Sequence, residues 1–151
     1  MIFTSPDIPN IKMIKVDTDY INYSDILNEF VKDLDTIHHR IHRPYSTYDI
    51  LINEFYLFFR DNDVLGYTLL SPDNEKDKYI IRNFLINKEF RNQGYGHLCF
   101  QLILDYLKYS LNIKKVTLMV STVNKKAKNL YFSFGFNPID IEMSEKLYLK
   151  L

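Results

Sequence analysis

At 151 residues and 46% hydrophobic side chains, the chain has the length and apolar content of one folded domain spanning residues 1–151. Nineteen basic residues balance nineteen acidic ones, so no net field draws the chain toward nucleic acid or a membrane surface. A lone cysteine excludes an internal disulfide, no apolar run reaches membrane-spanning length, and the first ten residues do not read as a signal peptide, so a cytoplasmic location is expected.

In chain order, Ile11–Val16 alternates apolar and basic residues and predicts an opening strand. Asp17-Thr18-Asp19 supplies N-cap chemistry for a helix whose stripe is Ile26, Leu27, Phe30, Val31 and Leu34. A polar stretch, His38 to Pro44, precedes a weaker helical turn over Thr47–Ile52. Phe55–Arg60 and Val64–Leu70 flank Asp61-Asn62-Asp63 and predict a hairpin, with Gly66 marking a close backbone approach. After the polar loop Ser71–Lys78 comes a long buried strand, Tyr79–Ile86, then a glycine-bearing turn and a helix over Leu98–Tyr109. Cys99 falls on the apolar side of that helix, where a buried, inert thiol is expected. Val116–Val120 reads as a further strand, residues 124–135 as a short helix, and Leu147–Leu151 as a closing strand. The order β-α-α-β-β-β-α-β-α-β-β predicts an α+β fold with a mixed, mainly antiparallel central sheet flanked by helices.

The turn Arg91-Asn92-Gln93-Gly94-Tyr95-Gly96 carries the most chemistry. A strand, a glycine turn and a helix N-terminus present free backbone N–H groups to an anionic phosphate, and Arg91 adds a fixed cation. It is not a Walker A loop, because His97 and Leu98 follow the second glycine instead of Lys and Ser/Thr. A dinucleotide fingerprint is also excluded, since only two glycines are present. In the second segment, Asn124 to Phe136, residues Ala127, Leu130, Tyr131 and Phe134 share a helix face and Gly135 suits the C′ position. Five lysines, Lys114, Lys115, Lys125, Lys126 and Lys128, gather around it.

The two segments, in this order and about a helix and a strand apart, resemble the Arg/Gln-x-x-Gly-x-Gly/Ala and Asn…Ala…Leu-Tyr…Gly-Phe patterns of the GCN5-related N-acetyltransferases. That resemblance implies acetyl-CoA as co-substrate and an N-acetyltransferase acting on a primary amine by direct attack, with the acceptor a small molecule or a protein. It implies that the strands Tyr79–Ile86 and Val116–Val120 run parallel and splay, with the pantetheine arm of CoA in the gap. It further implies that Leu85 and Ile86 offer backbone donors to that arm, and that the N–H groups of Gln93, Gly94, Tyr95, Gly96 and His97 receive the diphosphate. Arg91, Asn92 and Asn124 complete the cofactor set, and Tyr131 is the proton donor to the departing thiolate.

Arg82 stands where many members of the family carry a glutamate base, and an arginine cannot take a proton from an ammonium. Arg82 is instead a candidate for contact with the acceptor, and the resemblance implies the same for His38 and His42, whose segment forms a wall of the acceptor site in the family and could supply the base. His38, His39 and His42 have no matching Cys, Asp or Glu, so no metal is expected. No nucleic-acid or membrane partner is expected, and the assembly is read as a monomer or homodimer. The alternative reading is a catalytically inactive acetyltransferase-like module that binds CoA or a partner.

Overall fold

Residues 1–16, 53–140 and 145–151 are described by the computed structural model. They form an eight-stranded sheet: β1 (Ile2–Ser5), β2 (Ile8–Lys15), β3 (Glu54–Arg60), β4 (Asp63–Pro72), β5 (Lys78–Ile86), β6 (Lys115–Val120), β7 (Asn137–Asp140) and β8 (Glu145–Lys150). In space the order is β1-β2-β3-β4-β5-β6-β8-β7. Every neighbouring pair is antiparallel except β5 and β6, which run parallel. A parallel pair needs a crossover, which is supplied by helix α1 (Tyr95–Asp105) and its π-helical continuation Tyr106–Ser110. Helix α2 (Lys125–Ser133) follows β6.

The mixed, mainly antiparallel sheet and its flanking helices agree with the expected fold class, and most strands lie within a residue or two of their sequence-based bounds. The opening differs. The sequence pattern anticipates a strand from Ile11, whereas β2 begins at Ile8 and pairs with an unanticipated β1 across the turn Pro6-Asp7. Proline presets the backbone dihedral of such a turn, and aspartate stabilises it through local hydrogen bonds. Ser71 and Pro72, read as loop, extend β4 instead. The helix expected from Asp17, the polar stretch from His38 and the turn at Thr47–Ile52 lie outside the described residues.

Alternation assigns the two faces of the sheet. Tyr56 and Phe58 on β3, with Met13, Leu65, Leu70 and Ile81, pack with Phe100, Leu102, Ile103 and Leu107 of the crossover. Phe55 and Leu57, the alternate positions of β3, join Val16, Tyr67, Leu69 and Leu85 in a second apolar cluster. Each fully buried side chain of this kind contributes roughly 1.5–3 kcal/mol. The π turn brings Tyr106 to the foot of the sheet, its ring 5.5 Å from that of Tyr56. There Glu54 accepts hydrogen bonds from the Tyr56 hydroxyl (2.7 Å) and the Tyr79 hydroxyl (3.0 Å). Burial is the main cause that holds both phenols neutral well above the usual tyrosine range.

Two irregularities shape the ladder between β4 and β5, one level with Glu54 and one at the far end. On β5, Asn83 faces Leu69 and Ile81 faces Leu70, so Arg82 is the extra residue of a bulge. At the end of the same ladder Gly66 lies against β5, and a Cβ there would stand 2.1 Å from the Leu85 carbonyl oxygen. The close approach expected at Gly66 is present, and only glycine fits it.

Candidate active site

β5 and β6 pair from Lys78↔Lys115 to Ile81↔Leu118, and among the described residues no strand ladder continues on the β6 side of β5 beyond Ile81. The strands therefore fork, and the inner edge of β5 beyond Ile81 is released from the ladder. Which backbone groups face that edge follows from the ladder to β4. Asn87 N–H donates to Leu65 C=O (2.7 Å), so β5 residues two apart from Asn87 also address β4. Leu85 is one of them. Ile86 alternates to the gap side, where its C=O accepts from Arg91 Nε (2.9 Å), and its N–H shares that side. Of the two backbone donors anticipated at Leu85 and Ile86, the register thus aims Ile86 into the fork and turns Leu85 toward β4, with Phe84 as the second inward residue.

Beyond β5 a single 3-10 turn, Lys88–Phe90, leads into the glycine loop. Arg91 is half-buried and spends Nε on the Ile86 carbonyl, which ties the loop to the strand end. Asn92 (φ +61°) and Gly94 (φ +86°) adopt left-handed conformations, common for glycine and tolerated by asparagine. Gln93 Nε2 bonds the Glu89 carbonyl (3.0 Å), directing its side chain back across the loop. Gly94 is the N-cap of α1 and offers no side-chain cap; Leu98 N–H makes the first helical bond, to Gly94 C=O (3.3 Å). The N–H groups of Tyr95, Gly96 and His97 precede that bond and stand at the positive end of the helix. A Cβ built on Gly94 would meet nothing within 4 Å, and one on Gly96 would meet only Ile86 Cγ1 at 3.9 Å. The loop is an open cradle of donors. Its chemistry fits a diphosphate.

The second segment meets this loop from the side. Asn124 is the N-cap of α2, its Oδ1 accepting from Ala127 N–H (3.1 Å). Lys126 Nζ donates to Asn92 Oδ1, which seats an ammonium beside the loop. His97, expected to matter through its backbone, also stacks its ring on Phe134, with centroids 4.5 Å apart and planes 23° from parallel. Sequence reasoning missed that contact.

Tyr131 is positioned by the end of α2. Gly135 (φ +93°) donates to Phe132 C=O (3.0 Å) and Phe136 N–H to Tyr131 C=O (3.2 Å), the paired bonds of a Schellman motif. The accompanying apolar contact is the Tyr131–Phe136 ring pair at 6.0 Å, and Phe100 of α1 packs on Tyr131 at 5.1 Å. Burial pushes the Tyr131 phenol up to about 12, and among the described residues its hydroxyl has no hydrogen-bond partner. A neutral phenol with an uncommitted hydroxyl can donate a proton. Cys99 is fully buried and its thiol is likewise pushed up to about 12 by desolvation, the inert state expected of it.

Arg82, on the bulge, is exposed, and its Nε donates to Ser71 Oγ (3.1 Å). His38 and His42 lie outside the described residues. No cluster of three or more His, Cys, Asp or Glu able to hold a metal occurs among the described residues, and no helix among them is long and apolar enough to cross a membrane.

The forked parallel strand pair with a glycine cradle at its open end sits in a fold that solved acetyltransferases share. The chain belongs to the acetyltransferase (GNAT) family, which it matches over residues 23–136, and is an enzyme of the N-acetyltransferase class. Among sequence relatives, it is 27% identical over 118 residues to the uncharacterized N-acetyltransferase YycN of Bacillus subtilis (strain 168), covering 77% of this chain and 67% of that protein. Among solved structures, a spermidine N-acetyltransferase SpeG chimera from Vibrio cholerae and hSSAT superposes with a TM-score of 0.74 at 17% identity, covering 93% of this chain and 95% of the other. A Bacillus subtilis acetyltransferase in complex with CoA superposes with a TM-score of 0.71 at 14% identity, over 92% and 97% of the two chains.

Proposed function

We propose that the protein transfers an acetyl group from acetyl-CoA to the primary amine of a small-molecule or protein acceptor by direct attack. The observation that carries this reading is the coincidence, at one end of the sheet, of the β5 edge that its ladder to β6 no longer covers and the N-terminus of α1, which has no side-chain cap. Acetyl-CoA supplies the activated thioester. Gly94 to His97 would hold the diphosphate through main-chain donors, with Arg91, Asn92 and Gln93 shaping the loop and Lys126 neutralising charge beside it. Ile86 N–H would stabilise negative charge developing on the thioester oxygen, an interaction that strengthens as the reaction proceeds. Tyr131 would return a proton to the leaving sulfur. Asn124 caps α2 with Oδ1 and keeps its amide donors for the ligand. Positioning the amine supplies up to ~7–11 kcal/mol of the barrier.

A fork with an arginine and no carboxylate at the bulge also suits a second reading, a module that binds CoA without turnover. Calorimetry with CoA and acetyl-CoA, followed by thiol release over a panel of amines, separates the readings. Binding with release that slows in Tyr131→Phe supports transfer. Binding with no release on any amine supports the module, and no binding at all rejects both.

A further inference from the structure

The place where β5 and β6 part is marked by a charge. The last rung joins Ile81 to Leu118, and the next residue on β5, Arg82, is the bulged one. A bulge re-aims a side chain out of the regular alternation. Here it pairs Arg82 Nε with the hydroxyl of Ser71 (3.1 Å), a residue of β4 that is only 5% exposed. The guanidinium is therefore held at its root by a buried partner. Among the described residues its terminal nitrogens, the fork that grips a carboxylate through two parallel bonds, carry no hydrogen bond or ion pair. On the β6 side the next position, Met119, is apolar and 60% exposed. An arginine serving solubility alone needs neither the bulge nor a buried hydroxyl to fix it.

We propose that Arg82 is the acceptor's anchor, and that the acceptor is a small amine carrying a carboxylate close to its amino group, an amino-acid type of substrate and not a polyamine. The proposal rests on the fork being the site of acyl transfer. A carboxylate seated on Arg82 would hold the neighbouring amine at the mouth of the gap, whereas a polycation would meet like charge there.

Matched pairs that differ only by the carboxylate test it: ornithine with putrescine, lysine with cadaverine, phenylalanine with phenethylamine. Thiol release from acetyl-CoA should show kcat/KM higher for the carboxylated member by about 10-fold to 100-fold, the value of a charge-assisted bidentate contact. In Arg82→Met that ratio should fall to near unity, and in Ser71→Ala to an intermediate value. Calorimetry of the CoA-saturated protein should detect the carboxylated members in the wild type and lose them in Arg82→Met, with CoA affinity itself unchanged. A wild-type ratio of one or below, or a ratio that survives Arg82→Met, overturns the proposal. So does a CoA complex that takes up none of the amino acids. Failure of CoA itself to bind defeats the proposed function first, and this inference with it.

Discussion

The two helices of the described chain begin in opposite ways. At α2, the exposed N–H groups are met by the protein's own side chain, Asn124 Oδ1 accepting from Ala127 N–H at 3.1 Å. At α1 the cap is Gly94, in a left-handed conformation, with no side-chain acceptor and open space around its Cα. Both ends face the same physical deficit of unpaired donors. One settles it internally and gains local stability; the other leaves it standing, at the tip of the strand that has lost its neighbour. Stability and binding capacity are thus divided between two helix starts that touch through Lys126 and Asn92.

Substitutions that exchange the two solutions should break this division, and the largest effect belongs to α1. Gly94→Asp would place bulk and negative charge in the cradle and should reduce CoA affinity by at least ~100-fold in calorimetry. Unchanged affinity would count against the assignment. Tyr131→Phe should lower kcat by roughly 100-fold, in the range of general acid catalysis, while CoA affinity holds. An equal loss of both would reduce Tyr131 to a packing role.

The pH dependence of that step has a defined sign. Burial raises the Tyr131 phenol from 10.0 to about 12, so the folded protein favours the neutral form. The corresponding stability is complete below pH 10 and is lost as pH rises toward 12. Proton donation should therefore persist from pH 7 to pH 10. A descending limb of kcat within that interval that disappears in Tyr131→Phe would contradict the burial.

Asn124→Ala, which strips the cap from α2, should cost about 1 kcal/mol of stability by thermal or denaturant unfolding. Its effect on CoA affinity should be the smaller of the two readouts. Smallest is Lys126→Met, which should weaken CoA binding a few-fold at low salt and less at high salt, as a partly screened exposed charge would.

Much of this was legible in the sequence because it is local. Gly135 announces the end of a helix, the Arg91–Gly96 run announces a strand-to-helix turn, and Tyr79–Ile86 announces a buried strand. What escaped is long-range. The His97–Phe134 stack joins residues from two elements, and no periodicity encodes it. Leu85 and Ile86 look alike in sequence; only the ladder to β4, fixed by Asn87 and Leu65, decides which of them faces the gap. Arg82 was recognisable as an unusual residue at its position, yet the bulge and the Ser71 bond that give it a direction arise from pairing with β4. The opening hairpin was missed because β1 spans only Ile2–Ser5, too short to show a period.

Among the described residues, the rungs from Lys78 to Ile81 are the only strand ladder between β1–β5 and β6–β8. They make a seam, and above it the two parts of the sheet fork. Any occupant whose amides span the opening would act as added stitching, so saturation with such a ligand should slow amide exchange along Ile80 and Ile81 as well as at the residues it touches.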